Sequence, residues 1–272
     1  MQNISIVENP HRAFVGPAND YDIASAIQFN LLTYLGLREY HSLLDIGCGS
    51  LRAGRLFIPY LLPRKYFGLE PNQWLIADSI KKEIGQDLVN IKQPTFAYDQ
   101  EFSLSVFGCQ FDFLMAQSIF SHTSQSQISK CLTEVKKVMK KEGIFAATFF
   151  LGNENYTGNE WVYPGAVKFT QEKMQSLAEE QGLKGKLFNW PHHNLQSWML
   201  FFHPENEENI PDLDNLTQLN QLAFIRNELK VHKSRFSEND YFWCKERLAR
   251  LENHPYIKFG FKVQRFLKKL KK

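Results

Sequence analysis

Gly47, Gly49 and Glu70 are the first positions at which this chain points to a ligand. The apolar run Leu43-Leu44-Asp45-Ile46 leads through one acid into the two glycines and then into a helix-compatible segment. Such a run reads as a buried strand ending in a tight turn, whose backbone approaches a bound molecule because glycine has no Cβ. Tyr66-Phe67-Gly68-Leu69 reads as a second strand and ends in Glu70. In nucleoside-binding α/β folds a carboxylate roughly 20 residues beyond the glycines accepts hydrogen bonds from a ribose diol. The implied chemistry is the gripping of a nucleoside by its sugar.

The neighbours of the glycines narrow the nucleoside. A dinucleotide turn follows G-x-G-x-x-G, with the third glycine packing the helix close and the helix N-terminus facing pyrophosphate. Here Arg52 occupies that third position and the next glycine is Gly54. Asp45 at the strand tip would repel a phosphate and suits a cation. S-adenosylmethionine has an ammonium, a sulfonium and a ribose, and no phosphate. With the Leu43–Gly54 run, Gly68–Pro71 and Phe111-Asp112-Phe113-Leu114-Met115-Ala116-Gln117-Ser118, residues 20–203 resemble the class I S-adenosylmethionine-dependent methyltransferase family.

The resemblance implies a set of contacts to that cofactor. Gly47, Cys48 and Gly49 would face its methionine end, Asp45 would orient the ammonium, and Glu70, with Pro71 behind it, would hold the ribose. Asp99, in Tyr98-Asp99-Gln100, falls where the family's third strand ends beside the adenine. Arg52 and Arg55 belong to a Cys-Gly-Ser-Leu-Arg-Ala-Gly-Arg run similar to that of a family subset. They are read either as ligands of a carboxylate or phosphate or as partners of nearby acids. Gln117 and Ser118 end the fourth strand, where they would orient cofactor or substrate. A helix before the first strand often lies across the cofactor in that family, so Tyr21, Asp22 and Gln28 are candidate contacts, with ordinary surface as the alternative.

Methyl transfer from a sulfonium is an in-line displacement, so the protein positions a nucleophile and, where needed, takes its proton. His122, in Ser118-Ile119-Phe120-Ser121-His122, is a general-base candidate for a hydroxyl; its alternative is a hydrogen-bonded structural histidine. His193 is a second candidate. Trp161 and Tyr163, in the Tyr/Trp/Asn-rich insertion Gly152–Lys168, would form walls of an acceptor pocket, with the Trp190–Trp198 connection as a further side. His192 and His193 are adjacent, but no third ligand has a metal-site spacing, and no metal is expected. The chain has no Asn/Asp-Pro-Pro-Tyr after the fourth strand, no Pro-Cys nucleophile and no Fe–S cysteine triplet. These gaps disfavour amide or adenine amino methylation, cytosine C5 methylation and radical chemistry in turn.

The elements that must position these residues alternate. Expected helices are Asp20–Leu37, Ala53–Leu62, Gln73–Glu83, Ser126–Lys140 and Thr170–Gly182. Expected strands are Ser42–Ile46, Tyr66–Leu69, Phe111–Ala116, Gly143–Phe150, Lys184–Trp190 and Ser197–Phe202, with a poorly marked third strand near Tyr98. Alternation of this kind gives an α/β fold, a doubly wound and mostly parallel sheet. The resemblance implies seven strands with the last antiparallel. Residues 1–203 form the expected methyltransferase domain and 204–272 a helical extension. Its start is the polar segment Pro204-Glu205-Asn206-Glu207-Glu208-Asn209, and Lys258–Lys272 is a basic amphipathic tail.

With 272 residues, 43% hydrophobic and 22% charged, the chain has the balance of a globular protein. A net charge of +3 is too small to call for nucleic acid. The first residues lack the pattern of a signal peptide, no run is apolar enough to span a bilayer, and Cys48, Cys109, Cys131 and Cys244 form no C-x-x-C. A cytoplasmic enzyme is expected, with S-adenosylmethionine as cofactor and methyl transfer to oxygen or nitrogen of a small molecule, a sugar or secondary metabolite. The tail admits a peripheral contact with a membrane surface or acidic partner. Alternatives are an RNA or protein methyltransferase docking through that tail, or a non-catalytic scaffold.

Overall fold

A computed structural model describes residues 10–211. The extension expected over 204–272, its tail and Cys244 lie outside the described residues except for 204–211, a 3-10 turn over Pro204–Asn209. Among the described residues no helix is long and apolar enough to cross a membrane.

The chain opens with a five-residue helix α1 (Pro10–Phe14) and the longer α2 (Tyr21–Tyr34). It then alternates through β1 (Leu43–Ile46), α3 (Gly54–Tyr60), β2 (Tyr66–Leu69), α4 (Gln73–Ser79), α5 (Gln86–Lys92) and β3 (Thr95–Ala97). The second half is β4 (Phe111–Ala116), α6 (Gln125–Val138), β5 (Met139–Leu151), β6 (Lys168–Phe169), α7 (Gln171–Glu180), β7 (Lys184–Phe188) and β8 (Ser197–Phe202). A π-turn over Ile80–Ile84 extends α4.

The sheet order is β3-β2-β1-β4-β5-β8-β7, and β8 runs antiparallel to both its neighbours. The two-residue β6 pairs in parallel with the end of β5, which makes eight strands where seven were expected. β1 is buried at all four positions, as a central strand covered on both faces must be. The chain leaves β1 on one side for β2 and β3, then returns to the other side for β4. The carboxyl ends of β1 and β4 therefore flank a topological switch point, where an open α/β sheet offers a crevice.

The expected boundaries hold best where burial is complete or nearly so, as in β1, β2, β4 and β8. α6 is closed at its start by a capping box: Ser124 Oγ accepts from Gln127 N at 3.3 Å and Gln127 Oε1 accepts from Ser124 N at 2.9 Å. It stops at Val138 and passes directly into β5, two residues before the expected helix end. Met139 pairs with Phe111, and a register shift separates that pair from Phe113 and Ile144. The polar Lys140-Lys141-Glu142 that follows continues the helical pattern in sequence and conceals this switch. α5 was not expected, since none of its residues is buried and no apolar stripe marks it.

Candidate active site

The carboxyl ends of β1, β2 and β4 line a cleft of about 440 Å³. At one end stands the glycine turn. Gly47 and Gly49 have φ of +70° and +54°, and a Cβ on Gly47 would lie 2.2 Å from Ile119 Cδ1. The Gly47 and Cys48 amides both donate to Leu69 O, at 2.8 and 3.1 Å, pinning the turn to the tip of β2. Tyr21 donates its hydroxyl to Ser50 O at 2.7 Å and Ser25 to Arg52 O at 2.5 Å, so α2 clamps the turn from behind.

Three charged side chains surround this turn. Glu70 Oε2 accepts from Gly49 N at 3.1 Å, while Oε1 accepts from the Asn72 backbone and side-chain nitrogens at 2.9 and 2.7 Å. A carboxylate has about four lone-pair sites, so Oε2 keeps one for a ligand hydroxyl. Asp45 is 3% exposed and accepts from Tyr66 Oη at 2.8 Å. Burial pushes its carboxyl up to about 7, against the opposing pull of Tyr66 and Arg52. A Cβ on Gly54 would meet Tyr66 Oη at 2.8 Å, so this glycine, two places beyond the dinucleotide pattern, makes room for the phenol that holds Asp45. Arg52 donates from Nη1 to Val15 O at 2.9 Å and from Nη2 to Gln117 Oε1. Burial pulls it down to about 10, so it stays charged at neutral pH. Among the described residues no carboxylate forms an ion pair with it.

The opposite end is built from loops. The insertion at 152–167 returns onto the turn after β4: Val162 N donates to His122 O at 2.9 Å and Val167 N to Ser121 O at 2.8 Å. His122 Nδ1 lies 2.6 Å from Gly165 O, a contact that requires the proton on Nδ1. Nε2 is then the basic nitrogen, and it has no hydrogen-bond partner among the described residues. Burial lowers the His122 pKa below the usual imidazole value, and the Gly165 bond partly offsets this. Trp161 and Tyr163 stand 5.7 and 5.2 Å from the imidazole, centroid to centroid. All three residues line the cleft.

Residues 44–145 match the family described as methyltransferase domain. Over those residues the chain is similar to a methyltransferase domain, and its fold is shared with S-adenosylmethionine-dependent methyltransferases. Solved structures with the same fold include magnesium protoporphyrin IX methyltransferase (ChlM) from Synechocystis PCC 6803 with bound SAM. It is 14% identical over 73% of this chain and 92% of its own, with a TM-score of 0.53. DesVI of Streptomyces venezuelae is 12% identical over 74% and 100%, TM-score 0.53. The glycopeptide N-methyltransferase MtfA, solved with S-adenosylhomocysteine, is 11% identical over 74% and 98%, TM-score 0.51.

The residues of the methyltransferase cleft fit this cofactor. The glycines form a cradle that side chains would fill, Asp45 supplies a buried acid for an ammonium, and Arg52 supplies a buried cation whose protein partners are all neutral, suited to a carboxylate. Cys48, Pro71, Asp99, Gln117 and Ser118 also line the cleft. Cys48 is buried and its thiol is pushed well up by that burial, so it is a packing residue there. Asp99 Oδ1 accepts from Glu101 N at 2.9 Å and Ser103 N at 2.8 Å, and Oδ2 from Ser103 Oγ at 3.1 Å. It therefore shapes its own loop as well as facing the cleft.

Other expectations are corrected. His193 does not line the cleft, and burial with the nearby Arg52 charge pulls it down to about 4. The Trp190–Trp198 connection stands behind the site: His192 Nε2 lies 2.8 Å from Gln117 Nε2, and neither tryptophan faces the cavity. Arg55 pairs with Asp22 at 2.6 Å, the second of its two readings, and does not line the cleft. Tyr21 and Gln28 are buried rather than surface, 1% and 3% exposed, and Gln28, one of the candidate contacts, lines the cleft. The contribution of Phe14 and Val15 was missed, since only a three-dimensional return brings the residues before α2 over the turn.

Proposed function

We propose that this enzyme transfers methyl from S-adenosylmethionine to oxygen or nitrogen of a small molecule, with His122 as the general base when the nucleophile is a hydroxyl. When bound, the cofactor supplies an electrophilic methyl group on a sulfonium, open to in-line attack. Glu70 holds the ribose through Oε2, Asp45 faces the ammonium, and Arg52 takes the carboxylate of the methionine moiety. Gln117 keeps the Arg52 guanidinium in place, and Ser118 shares the Gln117 amide at 2.7 Å. Trp161 and Tyr163 flank the acceptor, and Nε2 of His122 takes its proton.

The observation that carries the acceptor half is the tautomer of His122. The Gly165 carbonyl holds the proton on Nδ1, burial keeps the ring neutral, and Nε2 is free for a hydroxyl in the same cleft as the glycine turn. The walls packed around His122, Trp161 and Tyr163, are aromatic and uncharged, which favours an uncharged acceptor over a protein or RNA segment. The solved structures of this fold include enzymes named for acceptors as different as a porphyrin and a glycopeptide, so loop side chains choose the acceptor. On this reading the enzyme is cytoplasmic, and the basic tail at 258–272 is a peripheral contact that does not enter turnover.

The test is a comparison of metabolites from a deletion strain and its parent. A compound that lacks one methyl should accumulate, and the purified enzyme should convert it. Conversion that survives His122→Ala undiminished would remove the base from the proposal.

A further inference from the structure

A segment outside the sheet roofs the cleft. Phe14 and Val15 both line it, and a Cβ on Gly49 would lie 2.8 Å from Val15 Cγ1, so Val15 rests directly on the glycine turn. The Val15 carbonyl accepts from Arg52 Nη1 at 2.9 Å, and the Phe14 carbonyl accepts from the Tyr163 hydroxyl at 2.7 Å. The Phe14 ring packs edge-on against Trp74, 5.4 Å away. Two consecutive residues thus bridge the methyl-donor end of the cleft to the acceptor loop. Gly16, at φ +126°, follows them, a conformation that side chains rarely adopt.

α1 has five residues, too few to hold itself folded, so its position is set by what it touches. That contact is Glu83, on the π-turn after α4. Its Oε1 receives His11 Nε2 at 2.8 Å and Arg12 Nε at 2.6 Å, and its Oε2 receives Arg12 Nη2 at 2.7 Å. The Glu83 side chain is 5% exposed, and Arg12 also lies 4.5 Å over the ring of Tyr21. Burial opposes ionisation of Glu83, but the bonds from Arg12 and His11 outweigh it and hold the carboxyl below its usual range. Neither Glu83, His11 nor Arg12 lines the cleft.

We propose that Glu83 is a positioning residue of the methyl-donor site: through His11 and Arg12 it anchors α1 so that Phe14 and Val15 close as a strap over the bound nucleoside. The inference rests on the cleft taking the methionine nucleoside as proposed above. The strap must lift for S-adenosylhomocysteine to leave, and lifting it breaks the Arg52 and Tyr163 bonds together. Release of the product and opening of the acceptor wall are therefore one event.

S-adenosylhomocysteine is the probe, with dissociation followed by stopped-flow tryptophan fluorescence in the full-length protein. Glu83→Gln and Arg12→Ala should each release it roughly tenfold faster or more, the size expected for losing a buried charge-assisted pair, without a slower association rate. Arg12→Lys, which keeps one charged contact, should recover part of the difference. Tyr163→Phe, at the other end of the strap, should accelerate release by a smaller factor. Should Glu83→Gln fail to fold, the quarter-exposed Arg12 provides the same test. Release rates within twofold of wild type in the folded variants would overturn the strap. Absence of binding by the wild type itself would instead overturn the donor site on which the strap depends.

Discussion

On the proposed reading, the methyl-donor end of the cleft is made of strand tips, and the acceptor end of loops. At the first, Gly47, Gly49, Asp45 and Glu70 follow directly from β1 and β2, and backbone amides from the turn fix their places within hydrogen-bond distance. At the second, His122, Trp161 and Tyr163 come from segments far apart in sequence that meet through backbone bonds such as Val162 to His122. The aromatic walls there remain half open, Trp161 and Tyr163 each 45% exposed, whereas Glu70 is 6% exposed. A rigid end suits a cofactor common to many relatives, and an adaptable end suits whichever acceptor one enzyme serves.

Substitutions should separate the two ends cleanly. The largest effect belongs to His122→Ala, which should lower kcat/KM for a hydroxyl acceptor by about 10²- to 10⁴-fold, the usual span of general-base catalysis, while S-adenosylhomocysteine titrations barely change. Because the base must be neutral and its pKa is lowered, the acidic limb of the wild-type pH–rate profile should fall below the ordinary histidine midpoint of about 6.5. A limb at or above that pH would assign the titration to another group. Glu70→Ala should come next, weakening cofactor binding about 100-fold by calorimetry, since it removes a charged acceptor and strands the Gly49 amide. Unchanged affinity would remove the sugar grip from the donor end.

Trp161→Ala should raise the acceptor KM by roughly tenfold through lost aromatic burial and leave cofactor affinity alone. A matching loss of cofactor affinity would blur the division between the ends. The smallest effect is expected at Asp45→Asn. With its carboxyl pushed up to about 7 from an ordinary value of 3.8, native Asp45 binds a proton that the unfolded chain has released. The ligand-free wild type should therefore lose stability as pH rises from about 4 to about 7 and stay lower above that range. Asparagine still accepts from Tyr66 and carries no charge, so the variant should melt a few degrees higher at pH 8 and lack that slope, while binding the cofactor more weakly. Identical melting curves across the range would place the titration elsewhere.

The same division governed what was legible in the sequence. β1, its turn and Glu70 announced themselves because they occupy one local βαβ passage, where residue type and spacing determine geometry. β8 was legible because a run buried at five of six positions has few alternatives. β3 and α5 were not, since partial burial leaves no periodic pattern. His193 and His122 looked alike as sequence, and only tertiary contacts separate them: one donates to Gly165 inside the cleft and the other lies behind it. Val15 carried no signal at all, because a lone valine becomes informative only when the turn it covers is in place.

Gly54 carries a practical warning for anyone engineering thermostability. Replacing a helical glycine with alanine is a routine stabilising swap, worth about 1 kcal/mol by helix propensity alone. Here the added methyl would press on the Tyr66 phenol. Displacing that buried ring would outweigh the propensity gain, so this exchange should lower heat resistance and loosen the hold on Asp45 at the same time.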